Sequence, residues 1–155
     1  MTIRRFLMIL IAWTTLTAVH AQDAKAIYKE AKALCDAKNY AQAIPLLRVA
    51  AEKGHKKAQY RLGRCYDKGH GVKEDNKQAF LWYSKAATKG YAKAQYQLGR
   101  CYLKGKGTGA DRKKAKTWLI KAVKNEKGGE EVLQTIKEKA AKGDEESKTI
   151  LQLIR

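Results

Sequence analysis

The sequence predicts an all-α protein, a solenoid built from antiparallel helical hairpins. Residues 43–78 recur thirty-six positions later as residues 79–114, with nineteen of the thirty-six positions identical. Within each copy, apolar residues recur at three- and four-residue steps, which is the spacing of one face of a helix. A fixed period of this length indicates stacked supersecondary units, each of which buries its apolar face against its neighbours.

Each copy divides into two helices at a glycine-rich turn. The string 68–71 should end the first helix, because glycine adopts the left-handed conformation of a helix C-terminus. Asp75 then stands where the N-cap of the second helix is expected, with Gln78 in capping-box spacing; Asp111 holds the same place in the second copy. The predicted inward faces are Ala58, Leu62, Cys65 and Tyr66; Ala79, Trp82, Tyr83 and Ala86; Ala94, Leu98, Cys101 and Tyr102; and Ala115, Trp118, Leu119 and Ala122. Small residues such as Gly63 should lie where the two helices touch.

The repeated string resembles the Sel1-like repeat (SLR) family, a relative of the tetratricopeptide repeats. The resemblance is carried by residues 57–72, Asp75, 78–79, 82–87 and Gly90 in the first copy, and by residues 94–111 in the second, where Thr108 replaces the valine of the first copy. It covers about half of the chain that follows the predicted leader. It implies a right-handed α-solenoid that binds other proteins or peptides, without catalysis and without a cofactor.

The two ends of the repeat region depart from this pattern. Residues 22–54 look more like a plain tetratricopeptide unit, in which Asn39 should cap the second helix and Pro45 should kink or delay it. Residues 127–155 keep only traces of the repeat, and a final helix is expected with Ile150, Leu151 and Ile154 inward. Such divergence is typical of the terminal units that close a stack.

The first twenty-one residues predict a secretory signal peptide. A short basic start is followed by an apolar stretch from Phe6 to Val19, and small residues precede a cleavage position after Ala21. The stretch is short for a membrane anchor, since a span needs about 20 apolar residues. We therefore expect export to the periplasm or secretion. The expected organisation is a signal peptide over 1–21 and one domain over 22–155, comprising a first unit (22–54), two SLR units (55–90 and 91–126) and C-terminal capping helices (127–155).

The formal net charge of +18 favours anionic partners. Acidic proteins, lipid head groups, anionic glycans and nucleic acid all meet this condition. We consider nucleic acid an unlikely partner, because the chain is expected to be exported and carries no nucleic-acid-binding motif. Lysine dominates the excess charge, so a solvated surface without a specific anion site also explains it.

Neither the histidines nor the cysteines form a pattern typical of catalysis or metal binding. His55 and His70 lie in loops without a cysteine or carboxylate at ligand spacing. A Cys65–Cys101 disulfide is disfavoured because packed helices lie about 8–10 Å apart, farther than a disulfide spans. A Cys35–Cys65 disulfide is the alternative that geometry leaves open. We favour the interpretation that the cysteines are small, buried packing residues. The sequence therefore predicts no catalytic residue, no metal site and no cofactor.

One polar constellation recurs on the first helix of every unit. A basic residue, a tyrosine and a second basic residue follow one another at positions i, i+3 and i+7. By resemblance to tetratricopeptide stacks, these side chains line the concave groove, where guanidinium groups could hold carboxylates. Packing alone also explains the tyrosines. The candidate groove residues are Lys25, Tyr28 and Lys32; Lys57, Tyr60 and Arg64; and Lys93, Tyr96 and Arg100.

The expected function is an exported, non-catalytic scaffold that binds a protein or an acidic peptide along this groove. A second hypothesis is attraction of anionic cell-envelope polymers or glycans by charge alone. A third, a cell-wall-fragment hydrolase, derives from secreted relatives with paired cysteines in each repeat, which this chain lacks.

Overall fold

The computed structural model describes residues 23–155, and the predicted signal peptide lies outside them. The described residues form eight helices and no strand. These helices are α1 (residues 23–36), α2 (Tyr40–Glu52), α3 (Lys56–Lys68), α4 (Asn76–Thr88), α5 (Ala92–Lys104), α6 (Arg112–Val123), α7 (Gly129–Ala141) and α8 (Glu145–Ile154). No helix among the described residues has the length and apolar character needed to cross a membrane.

The helices stack as consecutive hairpins, which confirms the all-α solenoid. Helix α3 packs on α4, α5 on α6 and α7 on α8, and each hairpin also contacts the next one along the chain. The buried residues form a chain of apolar clusters from α1 to α8. In the last helix Ile150 is fully buried as expected, while Leu153 takes the second inward position and Leu151 and Ile154 are only partly buried.

Local side-chain caps begin the second helix of each of the first three hairpins. Asp75 accepts hydrogen bonds from the backbone N–H groups of Lys77 (2.9 Å) and Gln78 (3.0 Å). Asn39 accepts from the N–H of Gln42, and its amide donates to the Gln42 side chain at 2.7 Å. Asp111 repeats the arrangement at the start of α6. All three predicted caps are confirmed, because each depends on residues within one turn.

Of the two effects expected of Pro45, a kink or a delay of α2, the delay does not occur. The helix begins at Tyr40 and continues through Pro45 to Glu52. The carbonyl that loses its partner belongs to Ala41, four residues earlier. Ala41 and Pro45 are both exposed, so water can donate to this carbonyl.

Glycine allows the two helices of a hairpin to touch at two equivalent places. A Cβ built on Gly63 would lie 2.8 Å from the Tyr83 ring, and one on Gly99 would lie 2.7 Å from Leu119. These distances are too short for any larger residue, which confirms the predicted close contact. Gly69 and Gly105 end α3 and α5 in the left-handed conformation, with φ of 66° and 69°.

Two buried glutamines join consecutive hairpins. The Gln59 amide donates to the Ala51 carbonyl at the end of α2 (3.0 Å), and Gln95 donates to Ala87 at the end of α4 (3.3 Å). Each carbonyl lies at a helix C-terminus, where it also accepts a backbone N–H, from Gly54 and Gly90 respectively. This contact explains why glutamine recurs in the repeated string.

The three cysteines are buried and free. Burial raises the pKa of the Cys65 and Cys101 thiols, each to about 11, so both stay protonated and weakly nucleophilic. Cys35 and Cys65 lie in one apolar cluster and Cys101 in another, in agreement with their interpretation as packing residues.

Candidate functional site

The first helices of the two central hairpins and helix α7 enclose a groove of about 440 Å³. Its walls are polar and mainly basic, with five basic and two acidic side chains. The lining residues are Tyr60, Arg64, Asp67, Lys68, Tyr83, Lys93, Tyr96, Gln97, Arg100, Glu131, Val132, Thr135 and Lys139.

Five of the nine predicted groove residues line this groove together. They are Tyr60, Arg64, Lys93, Tyr96 and Arg100. The register of the repeat explains this, since α3 and α5 present equivalent faces to the same side of the stack.

The other four predicted residues lie outside the lining. Lys57 is exposed on α3, and Lys25 is exposed on α1. Tyr28 stacks on His55 with ring centroids 4.4 Å apart and accepts a hydrogen bond from Arg61 Nε at 3.2 Å. Lys32 pairs with Asp36, one turn along the same helix, at 2.6 Å. The proposed row on α1 therefore does not join the groove.

Two of the predicted cations hold carboxylates from the C-terminal helices. Arg100 forms a bidentate ion pair with Glu146 of α8, with Nε–Oε1 and Nη2–Oε2 distances of 2.5 and 2.8 Å. Lys104 contacts the same carboxylate at 2.6 Å. Lys93 pairs with Glu131 of α7 at 2.6 Å. These partners were missed from the sequence because Glu131 and Glu146 lie in the divergent capping unit, where no repeat pattern indicates their position.

The Arg100–Glu146 pair is only partly exposed to solvent, and this changes the pKa of both groups. Burial alone would raise the pKa of the Glu146 carboxyl, but hydrogen bonds from Arg100 and Lys104 lower it below its ordinary value. The hydrogen bonds to Glu146 likewise raise the pKa of Arg100. Both groups are therefore charged at neutral pH, and Arg100 of this pair lines the groove.

Arg64 is the arginine of the groove that stays exposed. Among residues 23–155 no carboxylate lies within ion-pair distance of its guanidinium group, and it makes no hydrogen bond there. The equivalent Arg100 is neutralised by the capping helix, whereas Arg64 faces the next hairpin, which supplies no such carboxylate. The fork of donors on Arg64 is thus available to a partner.

The groove tyrosines differ in their surroundings. Tyr96 is only 7% exposed, and burial raises the pKa of its hydroxyl. Arg100 lies over its ring at 5.6 Å, so Tyr96 mainly supports the arginine. Tyr60 is partly exposed and packs edge-on against Tyr91 at 5.2 Å. Tyr60 therefore presents the more accessible aromatic surface.

The two histidines among residues 23–155 make structural contacts. His55 caps α3, and its Nδ1 accepts a hydrogen bond from the Ala58 N–H at 3.2 Å. His70 stacks on Tyr40 with ring centroids 4.7 Å apart. Within residues 23–155, no group of three or more histidine, cysteine, aspartate or glutamate side chains is placed to hold a metal ion.

The stacked hairpins and the groove along their first helices define a helical-repeat protein. The sequence profile of the Sel1 repeat family matches residues 36–55, 56–91 and 92–126, more than half of the chain. The chain belongs to the Sel1 repeat family. The resemblance inferred from the repeated string is thereby confirmed, and the profile also extends into the first unit, which looked more like a tetratricopeptide repeat.

Solved structures show the same fold. The chain is 34% identical to a Sel1 repeat protein from Oxalobacter formigenes, with a TM-score of 0.63, covering 92% of this chain and 96% of that one. It is 30% identical to c5321, a protective antigen of uropathogenic Escherichia coli with an SLR fold, with a TM-score of 0.64, covering 84% of this chain and 28% of that one. Helicobacter pylori cysteine-rich protein B shares the fold at 22% identity, with a TM-score of 0.53, covering 68% of this chain and 90% of that one. No curated protein matches the chain.

Proteins of this family are generally non-catalytic scaffolds that mediate protein–protein interactions. The family thus gives the category of function, and the groove gives the place where a partner of this chain can be sought.

Proposed function

We propose that the chain is a non-catalytic scaffold that binds an acidic segment of another protein along the groove between α3, α5 and α7. The observation that carries the proposal is the exposed guanidinium of Arg64 within a groove where basic side chains outnumber acidic ones. A partner carboxylate can accept two parallel hydrogen bonds from such a group. Tyr60 adds an accessible aromatic surface next to it.

The chain's own contacts support carboxylates as the matching chemistry. Arg100 and Lys93, which belong to the same rows, each bind a carboxylate of the capping helices at 2.5–2.8 Å. A carboxylate from a partner would occupy at Arg64 the place that Glu146 occupies at Arg100. We therefore expect Arg64, the free cation of its row, to contact the partner directly.

The test is direct binding of a short fluorescent peptide rich in aspartate and glutamate, measured by anisotropy. Arg64→Ala should weaken binding about tenfold, because a bidentate charged contact is lost. Arg112→Ala is the matched control, since it removes the same charge from an exposed position on α6, outside the groove. It should bind the peptide as the unmodified protein does.

The alternative of charge-driven binding to anionic polymers predicts a different outcome. In that case both arginine variants would lose affinity equally, and binding would fall steeply with salt concentration. Equal losses would overturn the groove proposal.

We also propose that the chain acts outside the cytoplasm, on the strength of the basic, apolar and small-residue succession over residues 1–21. Intact-mass analysis of the protein from the periplasmic fraction of a bacterial host should show a chain beginning at Gln22. A full-length chain confined to the cytoplasm would contradict this.

A further inference from the structure

A second cavity of about 150 Å³ adjoins the groove. Its walls include five residues that also line the groove, so the two cavities are contiguous. The shared residues are Asp67, Lys68, Tyr83, Gln97 and Arg100. Cys101, Lys104 and Lys106 complete the small cavity, which is more enclosed than the groove. At about a third of the volume of the groove, it suits a chain end or a side chain better than a length of peptide.

Tyr83 lines both cavities, and its hydroxyl has no hydrogen-bond partner among the described residues. The residue is 1% exposed, and its hydroxyl oxygen is buried and unpaired. A buried polar group without a partner is rare in folded proteins and needs an explanation. Burial also raises the pKa of this hydroxyl, so it keeps its proton as a donor.

Packing does not require this hydroxyl. Tyr83 lies against Gly63, and thirty-six residues later Leu119 lies against Gly99 in the same way. The second copy of the repeat therefore fills the equivalent space with an apolar side chain. The hydroxyl is an addition specific to the hairpin that borders the small cavity.

The charges around the cavity favour an anion. Lys68, Arg100, Lys104 and Lys106 line it, and one acidic residue, Asp67, lines it with them. Asp67 is paired with Lys106 at 2.5 Å, and Lys68 lies 3.8 Å from it. Glu146, outside the lining, takes Arg100 and Lys104. Four cations thus face two carboxylates, so the net charge of this network is positive and favours a further anionic group.

We propose that this small cavity is the anchor subsite of the groove, and that it takes one carboxylate of an acidic peptide, with Tyr83 donating a hydrogen bond to it. The inference rests on the proposed function and adds the position and chemistry of the deepest contact. The carboxylate enters the small cavity while the rest of the peptide lies along the groove past Arg64. The anions already present in this network, Asp67 and Glu146, are carboxylates, so its cations can bind a carboxylate group.

The test uses Tyr83→Phe, which removes the hydroxyl and keeps the ring against Gly63. Its melting temperature should be unchanged or higher, because a buried unpaired hydroxyl is removed. Its affinity for the acidic fluorescent peptide should fall about tenfold, as expected for losing a hydrogen bond to a charged group. Tyr83→Leu, which introduces the side chain found at the equivalent position of the second repeat, should show the same loss.

Two forms of the peptide locate the carboxylate. If amidation of the C-terminus removes the effect of Tyr83→Phe, the anchor takes the terminal carboxylate; if the effect persists, it takes a side chain. Affinity equal to that of the unmodified protein in Tyr83→Phe, with Arg64→Ala still weakened, would overturn the subsite and leave the proposed function standing. Absence of peptide binding by the unmodified protein would overturn both.

Discussion

At the scale of single residues, His55 shows how a polar side chain in a loop serves the fold. Its Nδ1 accepts the hydrogen bond that caps α3, and its ring stacks on Tyr28. Burial lowers the pKa of this imidazole, and the positive charges of Lys57 and Lys25 lower it further. The neutral form is required, because a protonated Nδ1 cannot accept the Ala58 N–H.

Acidification should therefore destabilise the protein through His55. The folded-state pKa lies below the unfolded value of about 6.5, so the unfolded chain binds more protons as the pH falls. The stability that His55 contributes is complete above that unfolded value and is lost as the pH falls through the folded pKa. Urea denaturation from about pH 8 to about pH 5 should show this loss.

His55→Asn provides the control for this effect. Asparagine caps helices well and does not titrate in this range. The variant should lose less stability on acidification than the unmodified protein. Parallel losses in the two proteins would show that His55 is not responsible.

At the scale of helices, most boundaries follow from short-range chemistry. The caps at Asn39, Asp75 and Asp111 and the turn glycines at 69 and 105 were predictable, because each acts on backbone groups within one turn. The delay, one of the two effects expected of Pro45, does not occur, and water can reach the carbonyl that this proline leaves unpaired. That exposure is a property of the stack and not of the helix.

Removing the cap of α4 should destabilise the protein modestly. Asp75→Ala leaves the N–H groups of Lys77 and Gln78 without their side-chain acceptor, at a cost of about 1 kcal/mol. Thermal denaturation followed by circular dichroism should show a lower melting temperature. Asp75→Asn should keep most of the stability because its amide oxygen can still accept; an equal loss in both variants would contradict the capping role.

At the scale of the whole molecule, the capping helices end the stack, and α7 supplies part of the wall of the groove. Glu146 of α8 holds Arg100 and Lys104 of α5, forty-two or more residues away in sequence. Its lowered pKa means that the pair contributes stability above the ordinary pKa of glutamate, and this contribution is lost as the pH falls through the folded value.

Glu146→Gln should have two opposite effects. It should lower the free energy of unfolding by about 1–3 kcal/mol, because charged hydrogen bonds are lost in a partly buried site. It should also strengthen binding of the acidic peptide, since Arg100 and Lys104 would no longer be paired with Glu146 and could contact the peptide. Chemical denaturation and anisotropy measure the two effects on the same sample.

Glu145→Gln is the matched control, because Glu145 is exposed and pairs with Lys148 on its own helix. It should change neither quantity measurably, as expected of a surface ion pair. Weaker peptide binding in Glu146→Gln would show that Glu146 does not compete with a partner for the groove.

The amino-acid order predicts the hairpin, the period of the stack and the helix ends. It also predicts that the basic and tyrosine rows of α3 and α5 share one side of the stack. It does so because these features depend on neighbours in the chain or on residues one repeat apart. Which cations remain free depends instead on the packed stack, where Arg100 and Lys93 pair with carboxylates of the capping unit and Arg64 stays exposed. The same packing leaves the buried hydroxyl of Tyr83, a residue that lines both cavities, without a partner among the described residues. Such contacts join residues from different, non-identical units, so no periodic pattern in the chain encodes them.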